Sequence, residues 1–163
     1  MKVYLVRHAV AADRGEEYPD DTRRPLTPHG ISRFKETVEG LAALGVRVDV
    51  VLSSPLVRAR QTAELLAAGL QDRPPVVDAR WLAAGNPAAA AIDALAGRED
   101  VGSVALVGHE PGIGELAARL VGAQTPFVFK KGGVCRIDFD GPARASAGEL
   151  RWFATPRMLR CLR

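Results

Sequence analysis

Four residues in this sequence are of types that do chemistry together, and each stands at a similar kind of place. Arg7 and His8 close the apolar run of "YLVRHA", Arg58 lies in "LSSPLVRARQTAELL", and His109 closes "VALVGH". A neutral imidazole nitrogen can attack phosphorus and form a phosphoenzyme, which splits a transfer into two easier steps. Arginines grip phosphoryl oxygens through forked, charge-assisted hydrogen bonds. A second histidine can hold a further oxygen and stabilise the transition state. Phosphoryl transfer asks mainly for this positioning and charge compensation, and these four side chains supply it without a metal ion or cofactor.

The value of that set depends on elements able to bring it together. Lys2–Arg7 reads as a first strand. Residues 27–44 read as a helix: Thr27 is a cap, Pro28 fits the first turn, and Ile31, Phe34, Val38 and Leu41 recur at spacings of three and four. Gly45 ends it. "VDVVLSS" (48–54) is almost wholly apolar, as a strand covered on both faces should be. Ser54-Pro55 opens a second helix to about Leu70, with Leu56, Ala59, Ala63, Leu66 and Leu70 on one face. The Ala-rich segment 83–97 has helical spacing, with Asn86 as a cap before Pro87. "VALVG" (104–108) is a third buried strand, followed by a helix over 111–121. Two further strands are expected near 133–139 and 149–154.

Alternation of strands and helices predicts a three-layer α/β/α sandwich with a mostly parallel central sheet. One domain covers 1–163. In such sheets the ligand lies beyond the carboxyl ends of the strands. Arg7-His8, Arg58 and His109 all follow strand ends, two of them beside helix N-termini, which favour anions.

Composition narrows the classes. The chain has 163 residues, 47% hydrophobic and 25% charged, the balance of a globular protein. Apolar runs fall short of the ~20 residues of a membrane span, and "MKVYLVRHAV" reads as a strand rather than a signal peptide. Cys135 and Cys161 lack metal-ligand spacing, which fits a reducing cytoplasm. The net charge is +3, and 18 of the 22 Lys+Arg residues are arginine. No basic run exceeds two residues, so no nucleic-acid patch is indicated.

Four ordered motifs, "LVRHA", "RPLTPHG" (24–30), "LSSPLVRARQTAELL" (52–66) and "LVGHEPGIGELA" (106–117), resemble the histidine phosphatase superfamily, which has the phosphoglycerate mutase-like fold. The short length and the RPLT element resemble its small phosphohistidine phosphatase branch, the SixA-like proteins. The resemblance implies that His8 becomes phosphohistidine, that Arg7 and Arg58 bind phosphoryl oxygens, and that His109 is the second pocket histidine. Arg24, in RPLT, would contact phosphate or the lip of the site. The superfamily's usual RHG reads Arg7-His8-Ala9 here. The proton donor is open between Glu110, which follows His109, and Asp13, Glu16 and Glu17 in the loop after the first strand, or no residue at all. A phosphohistidine substrate relaxes that need, since its imidazole leaves well once protonated.

Only about 33 residues separate the second helix from the third strand, too few for a large helical cap. An open site suits a phosphorylated side chain of a protein partner; nucleotides, sugar phosphates and inositol phosphates are the alternative substrates, and a non-catalytic phosphate-binding module is a further one. The long segment 10–25 is placed as a partial lid. Other residues have plain readings. His29 is a solvent-exposed first-turn residue and Arg60 a helix surface charge. Arg23 and Arg24 can pair with Asp20 and Asp21. Lys130-Lys131 is a solvated turn, and Cys135 a small buried hydrophobe.

Overall fold

In the computed structural model, residues 1–98 and 100–163 are described. Six strands form one sheet: β1 (Lys2–Arg7), β2 (Val50–Ser53), β3 (Val76–Asp78), β4 (Ser103–Gly108), β5 (Val134–Asp138) and β6 (Glu149–Ala154). Their order across the sheet is β3-β2-β4-β1-β5-β6. The pairs β2–β3, β2–β4 and β1–β4 are parallel, whereas β5 runs against both β1 and β6. The helices are α1 (Pro28–Ala43), α2 (Val57–Gly69), α3 (Ala88–Ala96), α4 (Gly112–Val121) and α5 (Pro156–Arg160).

Alternation along each strand divides the core into two layers. Val3 and Leu5 of β1, Leu52 of β2 and Leu106 of β4 pack with α3 and α4 through Leu95, Ile113, Leu116 and Leu120. Tyr4 and Val6, Val51, and Ala105 and Val107 turn to the other face. There they meet Phe34, Val38 and Leu41 of α1, Leu66 of α2 and Leu159 of α5. This is the expected three-layer α/β/α sandwich. No helix among the described residues is long and apolar enough to cross a membrane.

Thr27 caps α1 as its sequence predicts: its hydroxyl accepts from the Gly30 N–H at 2.9 Å. Gly45 follows with φ +70°, the left-handed geometry that glycine adopts at a helix end. Two expectations need correction. The second helix starts at Val57 rather than at Ser54-Pro55, because Leu56 is still extended with ψ 137°. Asn86 does not cap α3; its amide donates to the Arg80 carbonyl at 2.7 Å, and the boundary is the extended Pro87. The strand "VVD" (Val76–Asp78) and the helix α5 escaped the periodicity reading, being three and five residues long.

Helix α5 rests on α1 at Gly40, where a Cβ would overlap the carbonyl oxygen of Leu159. Propensity alone predicts that Gly40→Ala stabilises an interior helix position by ~1 kcal/mol. The backbone contact predicts the reverse, a loss on the scale of an overpacked core, ~1–3 kcal/mol. Urea unfolding midpoints of the two proteins decide between them.

Candidate active site

Register is what assembles the site. In the β1–β4 pair Arg7 lies opposite Gly108, so the chains leave the sheet level with each other at His8 and His109. The His8 N–H continues the ladder to the Gly108 carbonyl at 3.0 Å. In the β2–β4 pair Ser53 lies opposite Val107, and the Ser54 N–H reaches the Val107 carbonyl at 3.0 Å. The two imidazole rings sit with centroids 5.1 Å apart, tilted by 52°.

The roles of the His8 nitrogens follow from its partner. Nδ1 lies 2.7 Å from the Ala9 carbonyl, and a carbonyl only accepts, so Nδ1 carries the proton. In the neutral ring Nε2 then holds the lone pair. Burial drives the His8 pKa down to about 3, with the Ala9 bond opposing and His109, Arg58 and Arg7 adding to the fall. The result is a neutral imidazole across ordinary pH, the form a nucleophile needs. Ala9 is itself fixed: its N–H donates to the Thr62 hydroxyl at 3.0 Å, and that hydroxyl donates to the Arg58 carbonyl at 2.7 Å.

His109 is 5% exposed, with Nε2 2.8 Å from the Ser54 hydroxyl. Burial first, and then Arg58, bring its pKa down to about 4, with Asp21 opposing.

Arg58 is 3% exposed on the first turn of α2. Its two terminal nitrogens are both held by Asp21, one at the backbone carbonyl at 2.7 Å and one at the carboxylate at 3.0 Å. Burial lowers its pKa and Asp21 resists that. Arg7 donates to the Phe129 carbonyl at 2.5 Å. Among the described residues, three buried side-chain nitrogens have no hydrogen-bond partner: Nε of Arg7, Nε of Arg58 and Nδ1 of His109. Buried donors are rarely left so. Three orphaned nitrogens on three residues gathered at one sheet edge match the acceptor oxygens of an anion.

The remaining candidates fall elsewhere. Arg24 gives its Nε to the Asp21 carboxylate at 2.8 Å and another nitrogen to the Ala12 carbonyl at 2.6 Å. It braces the 10–26 loop and, through Asp21, Arg58. The Asp21–Arg24 pairing is thus one of the two alternatives the sequence left open. Arg14 also reaches Asp21, at 2.8 Å. Burial tends to raise the Asp21 carboxyl, but the Arg24 bond and the charges of Arg58, Arg24 and Arg14 outweigh it and hold the pKa at about 2. Asp13, Glu16 and Glu17 are exposed, and among the described residues none hydrogen-bonds to the pocket. The carboxylate of Glu110 accepts from the Phe129 N–H at 2.6 Å. Since Phe129 receives Arg7 on its carbonyl, Glu110 anchors the backbone that holds Arg7. On the other side of that backbone Gly132 donates to the carbonyls of Arg7 and His8, at 3.1 and 3.0 Å. Its φ of +78° is one that glycine adopts without strain.

Sequence reasoning missed Asp21, Ser54 and Phe129 as parts of the site. Asp21 was visible only as a neighbour of Arg23 and Arg24, because its partner Arg58 is 37 positions away. The role of Phe129 belongs to its backbone, which leaves no trace in residue type.

A strand-end histidine pair, two arginines and three unpartnered buried nitrogens thus meet at one sheet edge. The chain belongs to the histidine phosphatase superfamily, whose branch 1 model matches residues 3–82, and it stands in that family as a phosphatase. It is 28% identical to the phosphohistidine phosphatase SixA of Escherichia coli K12 over 165 residues, covering 96% of this chain and 94% of that one. It is 37% identical to an uncharacterised Picosynechococcus protein, covering 98% and 99%. A solved structure of the protein histidine phosphatase SixA complexed with tungstate superposes with a TM-score of 0.86 at 27% identity, over 98% of this chain and 99% of that one.

Two outcomes test the site. In an NMR titration of ring resonances, His8 and His109 stay neutral as the pH falls from 7 to ~5, well below the ordinary ~6.5 of a histidine; titration of either ring near 6.5 refutes the buried-neutral assignment. Glu110→Ala leaves the buried Phe129 N–H without its acceptor, a cost of ~1–3 kcal/mol, whereas Glu110→Gln keeps an acceptor. If Glu110 positions Arg7, kcat/KM falls for the alanine variant and recovers in the glutamine variant. If Glu110 is instead the proton donor, both variants fail alike on a phosphate ester with a poor leaving group.

Proposed function

We propose that the protein is a metal-independent phosphatase that works through a phosphohistidine at His8, and that its substrate is phosphohistidine on a protein partner. The observation that carries the reading is the set of unpartnered buried nitrogens on Arg7, Arg58 and His109 around a neutral His8. Phosphoryl oxygens would satisfy the Nε–H groups of Arg7 and Arg58 directly. If the Ser54 hydroxyl donates to Nε2 of His109, the proton of that ring lies on Nδ1, the orphaned atom, and aims a third donor at the same group. The relative bound to tungstate supports an anion site in this fold, tungstate being a tetrahedral oxyanion like phosphate.

The first step forms a bond between His8 Nε2 and phosphorus and breaks the bond to the leaving nitrogen or oxygen. The Ala9 carbonyl stabilises the charge that develops on the imidazole by accepting from Nδ1–H. Water then attacks phosphorus, the P–N bond to His8 breaks, and inorganic phosphate leaves with the proton balance closed by water. Among the described residues the carboxylates beside the site are engaged elsewhere: Glu110 accepts from Phe129, and Asp21 is held ionised between arginines. Such a site favours a leaving group that acquires its proton from solvent. An imidazole does this readily near neutral pH and an alkoxide does not. This favours phosphohistidine over the alternative of sugar, nucleotide or inositol phosphate esters.

The test is a panel of phosphohistidine peptide, phosphoserine peptide and small phosphate esters, with acid-labile phosphate trapped on the protein during turnover. Hydrolysis should be fastest on phosphohistidine, and His8→Ala should abolish both the trapped phosphate and turnover, a loss of at least ~10³-fold. Full activity in His8→Ala would end the proposal, and equal or faster hydrolysis of alkyl esters would end the assignment of substrate.

A further inference from the structure

A cleft of about 470 Å³ opens beside the histidine pair and is lined by none of Arg7, His8, Arg58 and His109. It begins at Ala9 and Val10, immediately past His8, and runs between the start of α1, the turn before β5 and the start of α5. Its charged lining carries one sign only: Arg33, Lys130, Lys131, Arg157 and Arg160. Glu36 on α1 pairs with Arg33 at 3.2 Å and with Arg160 at 3.7 Å. Lys130, Lys131 and Arg157 are exposed, and among the described residues no carboxylate lies within 4 Å of them. The turn read from the sequence as merely solvated is therefore one wall of a basic cleft.

We propose that this cleft seats an acidic stretch of polypeptide flanking the phosphorylated residue of the substrate. The inference rests on the reading of the substrate as a protein. Two features favour an extended chain over a compact polyanion. The free cations come from two separate elements and are solvent-exposed, rather than converging on a buried point as a small, highly charged ligand requires. The lining also includes the partly exposed Pro156, which suits the apolar side chains that a peptide carries between its acids. The cleft begins at Ala9, the residue that follows His8 in the chain. Exposed charges of this kind add affinity that salt screens, so they would select among protein partners without touching the chemistry at His8.

The experiment uses a fluorescein-labelled, unphosphorylated peptide of alternating glutamate and leucine, with a glutamine–leucine peptide as control. The whole protein should bind the acidic peptide in fluorescence anisotropy and not the neutral one, and added salt should weaken the binding. The variant K130A/K131A/R157A, its fold checked by circular dichroism, should bind about tenfold more weakly, as expected for the loss of three exposed charge contacts. The same variant should raise KM for a phosphohistidine peptide with acidic flanks and leave hydrolysis of phosphoimidazole unchanged. Absence of binding, equal binding by the triple variant, or binding of tripolyphosphate but not of the peptide would each overturn the cleft's assignment. Because the anisotropy peptide bears no phosphate, the two proposals separate: acidic-peptide binding that weakens in the variant, without phosphohistidine turnover, would retire the substrate reading and leave the cleft in place.

Discussion

The register of β1 against β4 is the constraint on which the site depends. Parallel strands that pair Arg7 with Gly108 deliver His8 and His109 to one level, and their rings come within 5.1 Å between centroids. Register by itself is held by burial. Val3 and Leu5 point to one helical layer and Tyr4 and Val6 to the other, so a slip of one residue would exchange the two sets. It would also move His8 away from His109. The packing that stabilises the sheet and the geometry that brings the two histidines together are thus one arrangement, and neither can drift without the other.

Around that fixed pair the arginines are set by backbone carbonyls and one carboxylate. Phe129 holds Arg7, and Asp21 holds Arg58 at two points. Glu110 and Arg24 lie one contact further out and brace these holders. The histidines and arginines therefore form an inner ring, and the residues that hold them lie behind it. Among the holders, Asp21 neutralises part of the positive charge and takes up both terminal nitrogens of Arg58.

Much of this arrangement is legible in the sequence alone. The strand ends at His8 and His109, the Thr27 cap and the apolar faces of α1 and α4 are local signals, written in residues three or four apart. Arg58 can be placed near the histidines because the strand–helix turn puts it there. Contacts across long separations are not legible. Nothing near Asp21 in sequence points to Arg58, and the Phe129 carbonyl has no residue signature. The edge strand β3 is three residues long with Val77 exposed, so it shows neither alternation nor a buried run. Asn86 has the right residue type for a cap, but Pro87 already supplies the boundary. Cys135 behaves as its type suggests: wholly buried, with its thiol pushed up to about 12 by desolvation.

The double grip of Asp21 on Arg58 also has an entropic side. A free arginine side chain carries roughly 2 kcal/mol of rotamer freedom, which an incoming anion would ordinarily have to remove. Here folding has already removed it, since both terminal nitrogens are fastened and the side chain is 3% exposed. An oxyanion arriving there would meet a stilled arginine whose unpartnered buried nitrogen is Nε. Affinity lost to the competing carboxylate is offset by order installed in advance, and the direction from which an oxyanion can approach is chosen before it arrives.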